Sequence, residues 1–330
     1  MMEINKRNAR QWSRLGSRGV FGLALTDAAA DHADLMALSA DLGNSSGLGR
    51  FQAMYPDQFL NTGIAEQNMI GVAGGLAKEG YNVFATSFAP FIAMRASEQV
   101  RMNLGYMELN VKAVAIGSGI VMGLLGNSHY GIEDVSVMRS IPNLTVVSPA
   151  DCAEIVKTVE AAARFKGPMY IRLTGGPDNP SVYTEDYDFE FGKAITLREG
   201  RDIAIIACGT MVYQSLEAAK ELAAQGIDAT VVNMHTLKPL DTATLDKALE
   251  GTRAVITVEE HSTIGGLGSA VSEYLAPKRE RPPHLSIGLP DKFVKAGQYQ
   301  HMLDELGLLG PNIAQSIGSF MHSLDMPISA

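Results

Sequence analysis

The chain has 330 residues, 46% of them hydrophobic and 19% charged, enough apolar material for two domains that each bury a core. Lys and Arg number 27 against 36 Asp and Glu, and the resulting net charge of −9 gives no general attraction for nucleic acid or anionic lipid. No apolar run reaches the ~18 residues of a membrane span, no leader-like stretch follows Met1, and Cys152 and Cys208 form no C-x-x-C pair, so a reducing, cytoplasmic setting is expected.

In chain order, short apolar runs at Leu35–Ala40, Asn82–Ala85, Val111–Ile116, Leu144–Val147 and Met169–Leu173 read as strands buried on both faces of a parallel sheet. Between them, helical patterns run over Ala65–Lys78, Ala93–Leu104, Ile132–Arg139 and Ala153–Phe165. Lys78-Glu79-Gly80 and Phe165-Lys166-Gly167 are stop signals for two of these helices. The alternation then repeats. Strands are predicted over Asp202–Ala207, Ala229–Met234, Ala254–Val258 and Leu285–Ile287. The matching helices are Gln214–Gln225, Thr242–Leu249, Gly268–Leu275, His301–Leu306 and Pro311–Leu324. Gly175-Gly176-Pro177-Asp178-Asn179-Pro180 and the polar stretch after it read as a connection between the halves. The pattern predicts two tandem three-layer α/β domains with mostly parallel sheets, over 14–178 and 195–330, joined by a linker at 179–194.

Chemistry concentrates in Asn61–Ala77. Glu66 is the only acid there, and Gly71, Gly74 and Gly75 would let another group pack closely on the helix backbone. A carboxylate in an apolar setting has its charged form disfavoured, which brings its pKa toward the range useful for proton exchange. The same residue also suits a simple helix N-terminal acid facing the first-turn amides, and pattern alone favours that plainer role.

Gly63-Ile64-Ala65-Glu66-Gln67-Asn68-Met69 resembles the motif that carries the catalytic glutamate in the pyrimidine-binding domain of transketolases. Ser87–Phe91 with Arg95–Met102 resembles the family segment whose aromatics pack on the aminopyrimidine, although the chain is one residue longer before Arg95. Ile132-Glu133-Asp134 through Asn143, Ser148–Asp151, Asn233–Asp241, and Val258–His261 with Gly265–Gly268 match the family in order, from about Arg14 to the C-terminus. The third glycine of a dinucleotide fingerprint is replaced by Val271, so Gly266 and Gly268 are read as helix–strand packing. The resemblance implies a thiamin-diphosphate enzyme that transfers a two-carbon ketol unit from a ketose to an aldose. Glu66 would bond the aminopyrimidine N1′, with Ile64, Phe88 and Phe91 as further cofactor contacts. Arg18 and Ser45 match positions that grip a sugar phosphate, and His129 matches a substrate-channel histidine with a catalytic role.

Full-length transketolases hold the diphosphate through Mg²⁺ on a Gly-Asp-Gly motif that this sequence lacks. The resemblance therefore implies a separate N-terminal partner subunit that ligates Mg²⁺ (or Ca²⁺ or Mn²⁺), with no metal ligand in this chain. Met1 is read as lying where such an N-terminal domain would end. Self-association through the pyrimidine domain would make a heterotetramer. Three family positions differ: Leu125 replaces a sugar-binding Asp, Gly176 a phosphate-binding Arg and Gly117 a His. Each lost polar contact is worth about 1–3 kcal/mol, so a modified donor or acceptor, or donors supplied by the partner, is expected. Three other readings remain open: half of a 2-oxo-acid dehydrogenase β-like or deoxyxylulose-phosphate-synthase-like enzyme, a specialised-metabolism ketol/acyl transferase, or a non-catalytic paralogue.

Overall fold

The computed structural model describes residues 2–325; residues 326–330 of the expected second domain lie outside the described residues. The chain opens with α1 (Lys6–Ala29), whose N-cap Asn5 accepts a hydrogen bond from the Asn8 N–H at 2.9 Å. Periodicity does not assign this helix because Gly16, Gly19 and Gly22 break its apolar stripe. Tertiary contact explains the break. Gly16 has φ +80°, kinks the helix, and would place a Cβ 2.7 Å from the Gly176 carbonyl carbon.

There follow β1 (Leu35–Ser39), α2 (Gly49–Met54), β2 (Phe59–Asn61), α3 (Glu66–Lys78), β3 (Asn82–Phe88), β4 (Val111–Ile116), α5 (Asp134–Ser140), β5 (Thr145–Val147), α6 (Cys152–Arg164) and β6 (Met169–Arg172). The helix expected over 93–104 is instead two π-helical turns, Phe91–Arg95 and Val100–Tyr106, flanking the short α4 (Ser97–Gln99). Wide turns of this kind often sit at functional sites. The helix expected from Ile132 begins two residues later, at Asp134.

The second half contains β7 (Ile195–Arg198), β8 (Ile203–Ala207), α7 (Met211–Ala224), β9 (Ala229–Asn233), β10 (Thr236–Lys238), α8 (Thr242–Leu249), β11 (Ala254–Ser262), α9 (Leu267–Leu275), β12 (His284–Leu289), α10 (Tyr299–Glu305) and α11 (Gly310–Asp325). Its five-stranded sheet runs β12-β11-β8-β9-β7, with only β7 antiparallel. The first sheet has seven strands, in the order β10-β5-β6-β4-β3-β1-β2. Its six strands from the first half are parallel to one another, as the tandem α/β expectation requires. The seventh, β10, comes from the second half and pairs antiparallel with β5, so the sheet edge itself ties the halves together. Gly268 packs where expected, since a Cβ there would lie 2.5 Å from Ser286 Oγ.

Charged groups are buried where the halves meet. Arg172, at the end of β6, is 1% exposed and pairs with Asp134, also 1% exposed, at 2.8 Å. The same guanidinium donates to the Gly131 and Glu260 carbonyls at 2.9 and 2.8 Å, and Tyr170 donates to Asp134 at 2.8 Å. Glu259 accepts from the Leu267 and Gly268 amides at the start of α9, at 2.7 and 2.8 Å. Burial pushes the Glu259 and Glu260 carboxyls above the ordinary range. The linker is fastened beside this cluster. Asp151 accepts from the Val182 and Tyr183 amides at 2.6 and 2.8 Å, and Glu154 accepts from Ala150 N at 2.6 Å and Asn233 Nδ2 at 2.8 Å. Desolvation raises Asp151 to about 6 and Glu154 to about 7.

Removing one member of the buried pair strands the other. Arg172→Met should cost about 3–5 kcal/mol in urea denaturation, and adding Asp134→Leu should recover part of that loss. The Asp151 and Glu154 carboxyls that fasten the linker give a pH test. Both folded pKa values lie above the unfolded values of about 4, so their contribution to stability is full below pH ~4 and lost as pH rises through ~6–7. Glu154→Gln, which cannot ionise, should therefore gain about 2–4 kcal/mol relative to wild type in urea titrations between pH ~5 and ~8.

Candidate active site

The site lies at the carboxyl edge of the first sheet, where open α/β sheets usually place their ligands. Glu66 is the first residue of α3, a position that favours negative charge, and is 2% exposed. Its Oε1 accepts from Ser87 Oγ at 3.2 Å and its Oε2 from the Arg95 guanidinium at 2.8 Å. The expectation of a lone carboxylate in apolar surroundings is thus corrected: burial holds, but a cation is paired with it. The expectation for the glycines also changes. Gly74 packs against the Asn103 side chain, while Gly71 and Gly75 face open space.

Arg95 links Glu66 to an aromatic wall, with its guanidinium 4.2 Å from the Phe91 ring centroid. Phe91 and Phe88 meet edge to face at 5.9 Å. The His129 ring packs on both, at 5.5 Å from Phe88 and 5.4 Å from Phe91. His129 follows the 3-10 stretch Gly123–Ser128, and Ser128 Oγ lies 3.0 Å from its Nδ1. Three separate segments, carrying Glu66, Phe88 with Phe91, and His129, are thereby joined through Arg95 into one cluster, the candidate recess. Ile64 stands beside it, 79% exposed.

Arg18 and Ser45 form a separate group, tied to α1 and the loop before α2, in which Arg18 Nη1 donates to the Ser45 carbonyl at 3.2 Å. The three departures have physical counterparts. A Cβ at Gly117 would lie 2.7 Å from Met122 Sδ and 3.1 Å from Phe88, so Met122 fills the space beside it. Leu125 is 52% exposed on the same turn as Leu124, which is 78% exposed. A Cβ at Gly176 would meet Val121 at 3.3 Å. Sequence reasoning gave Arg95 and Ser87 no role of their own. Both lie inside the quoted aromatic segment, and an arginine one turn beyond Phe91 was the available signal. Among the described residues, no group of three or more His, Cys, Asp or Glu side chains is arranged to hold a metal ion.

The fold and recess define a tandem α/β protein with a buried acid set against an aromatic wall. The transketolase pyrimidine-binding domain matches residues 14–176, and the transketolase C-terminal domain matches residues 192–313. The chain belongs to the transketolase family, whose members are thiamin-diphosphate-dependent transferases. It is 41% identical over 282 residues to a 6-deoxy-6-sulfo-D-fructose transketolase subunit of Clostridium sp. (strain MSTE9), covering 86% of this chain and 87% of that one. It is 37% identical over 309 residues to one of the subunits of apulose-4-phosphate transketolase from Phocaeicola vulgatus, covering 93% and 98%. A solved structure described as a split gene transketolase, inactive beta4 tetramer, superposes with a TM-score of 0.84 at 40% identity, covering 92% of this chain and 98% of that one.

Arg95→Ala would leave the Glu66 carboxylate buried with Ser87 as its one remaining side-chain donor. The substitution should cost about 1–2 kcal/mol in urea denaturation, with Glu66→Gln in the same chain restoring most of the loss.

Proposed function

We propose that this chain is the pyrimidine-side subunit of a two-chain transketolase that moves a two-carbon ketol unit from a ketose to an aldose. One observation carries the reading: the Glu66 carboxylate, 2% exposed, is joined through Arg95 to the Phe88, Phe91 and His129 rings of the candidate recess. Such a recess suits a flat heteroaromatic ring with a protonatable nitrogen. The residues fit that group, because each Glu66 oxygen has one side-chain donor and keeps a second lone pair for a ring nitrogen. Glu66 would hold N1′ of the aminopyrimidine of thiamin diphosphate, and Ile64, Phe88 and Phe91 would line the ring. The cofactor supplies the electron sink for cleaving the ketose. Glu66 would exchange a proton with that ring nitrogen, Ser87 and Arg95 fix the orientation of its carboxylate, and the two phenylalanines exclude water. His129 places a polar edge where the sugar enters.

The rim favours a second chain. Ile64 is 79% exposed, Met94 52%, Leu124 78% and Phe293 74%, a set of large apolar side chains that a partner surface would cover. In this reading an N-terminal partner subunit holds the diphosphate and its Mg²⁺. The open face of α3 at Gly71 and Gly75 pairs with a second copy, giving a heterotetramer. Arg18 and Ser45 would meet the anionic end of the sugar. The apolar lip formed by Met122, Leu124 and Leu125, and glycines at 117 and 176, favour a donor other than xylulose 5-phosphate. The relatives named for 6-deoxy-6-sulfo-D-fructose and for apulose 4-phosphate support that choice.

Reconstitution with an N-terminal transketolase subunit, thiamin diphosphate and Mg²⁺ tests the proposal. Xylulose 5-phosphate, 6-deoxy-6-sulfofructose and apulose 4-phosphate serve as donors, with glyceraldehyde 3-phosphate as acceptor. Ketose should be consumed without CO₂ release, only when both chains are present, and Glu66→Gln should lower kcat by roughly 10²–10⁴-fold. Full activity of Glu66→Gln, or turnover by this chain alone, would refute it.

A further inference from the structure

We infer that Glu260, in the second half of the chain, is the positioning residue for the 117–131 loop that carries Met122 and His129 to the recess; the inference rests on the thiamin reading above. The loop is poorly constrained by its own sequence. Gly117, Gly119, Gly123 and Gly126 all have positive φ, between +46° and +73°, and each glycine adds conformational freedom that must be lost on ordering. Inside the loop, Tyr130 donates to the Gly123 carbonyl, and the segment around Ile120 is held from outside.

Glu260, in β11, reaches across the junction between the halves. Its Oε1 accepts from the Ile120 N–H at 2.8 Å, and its Oε2 accepts from Thr210 Oγ1 and the Tyr299 hydroxyl, both at 2.7 Å. The approach requires glycine at 119, because a Cβ there would lie 2.2 Å from Glu260 Oε1. The two ends of the loop are joined where Gly119 and Gly131 exchange backbone hydrogen bonds of 2.7 and 3.0 Å. Arg172 then bonds the Gly131 and Glu260 carbonyls together.

Further contacts from the second half guide the loop's return toward Gly131. Asn127 donates to the Val294 carbonyl at 2.9 Å, and Tyr130 lies 3.3 Å from Met302 Sδ. Glu260 is the charged acceptor among these contacts and sits at the loop's base, so it sets the path that delivers Met122 against Gly117 and His129 against Phe88 and Phe91. It touches neither ring and acts only through the loop.

The test is a double-mutant cycle on the reconstituted pair, read as the thiamin diphosphate Kd by calorimetry with Mg²⁺ and as donor kcat/KM on the same proteins. Glu260→Ala and His129→Ala should each raise Kd about tenfold, the scale on which outer-shell orienting groups act. The double variant should be no more than about twofold worse than the weaker single, because both remove the same feature. Glu260→Gln should stay within about threefold of wild type, since its carbonyl still accepts from Ile120 and the two hydroxyls can turn to accept from its amide. Effects that multiply, or either single variant within about twofold of wild type, overturn the inference. If Glu260→Ala fails to assemble, Tyr299→Phe, which removes one hydroxyl donor to the carboxylate, carries the same cycle with an expected loss of about threefold and the same criterion of non-additivity. Glu66→Gln separates the two failures. Unchanged cofactor binding and turnover in that variant removes the thiamin reading, whereas a multiplicative cycle removes only the role of Glu260.

Discussion

The position of the recess depends on the burial of Arg172. Its guanidinium is shared among Asp134 at the start of α5, the Gly131 carbonyl at the foot of the 117–131 loop, and the Glu260 carbonyl in the second sheet. A fully desolvated ion pair is weak evidence of net stability, because the cost of removing both charges from water rivals their attraction. The pair itself lies within the first half; what it enforces across the junction is arrangement, since displacing the second half would break the bond from the held guanidinium to the Glu260 carbonyl. Apolar packing across the same boundary would tolerate more sliding. The β5–β10 pairing adds direction, because backbone hydrogen bonds fix the register of the second half against the edge of the first sheet.

From that junction the site is built outward. Parallel strands end at one edge, and the chain uses the edge twice: β3 delivers Ser87 and Phe88, and the turn after β2 leads into α3 with Glu66 at its head. The π-helical turn after Phe88 then brings Arg95 back over Phe91 and onto the acid. The result is a buried carboxylate held by Ser87 and Arg95 behind an aromatic wall. Ile64 and Leu124, on the segments that carry Glu66 and His129, are left exposed, and exposed apolar side chains of this kind mark surfaces that a partner can cover.

The elements legible in the sequence were those whose burial is simple. Val111–Ile116 is wholly apolar apart from Lys112 and is a strand buried on both faces, and Ala153–Phe165 carries an apolar stripe with a capping Asp before it. The illegible elements answer to distant contacts. α1 is broken by glycines that exist because Gly176 and Gly47 press against its backbone. The wide turns at 91–106 have the composition of an ordinary helix. β10 is a strand only because β5 offers it an unpaired edge. At the site, Glu66, Phe88, Phe91 and His129 were each readable as candidates, but Arg95 as the partner of Glu66 was not. An ion pair between residues 29 positions apart leaves no local mark.

The sequence by itself determined two α/β halves, a family resemblance carried by ordered motifs, an acid at position 66 and the absence of a diphosphate motif, because each of these is a property of residue type and near-neighbour spacing. Tertiary structure alone decided that Arg95 and Ser87 share the Glu66 carboxylate, that His129 meets both phenylalanines, and that Glu260 and Arg172 hold the loop between them. Those contacts join segments up to 140 residues apart, and only the folding of one half against the other brings such groups within hydrogen-bonding reach.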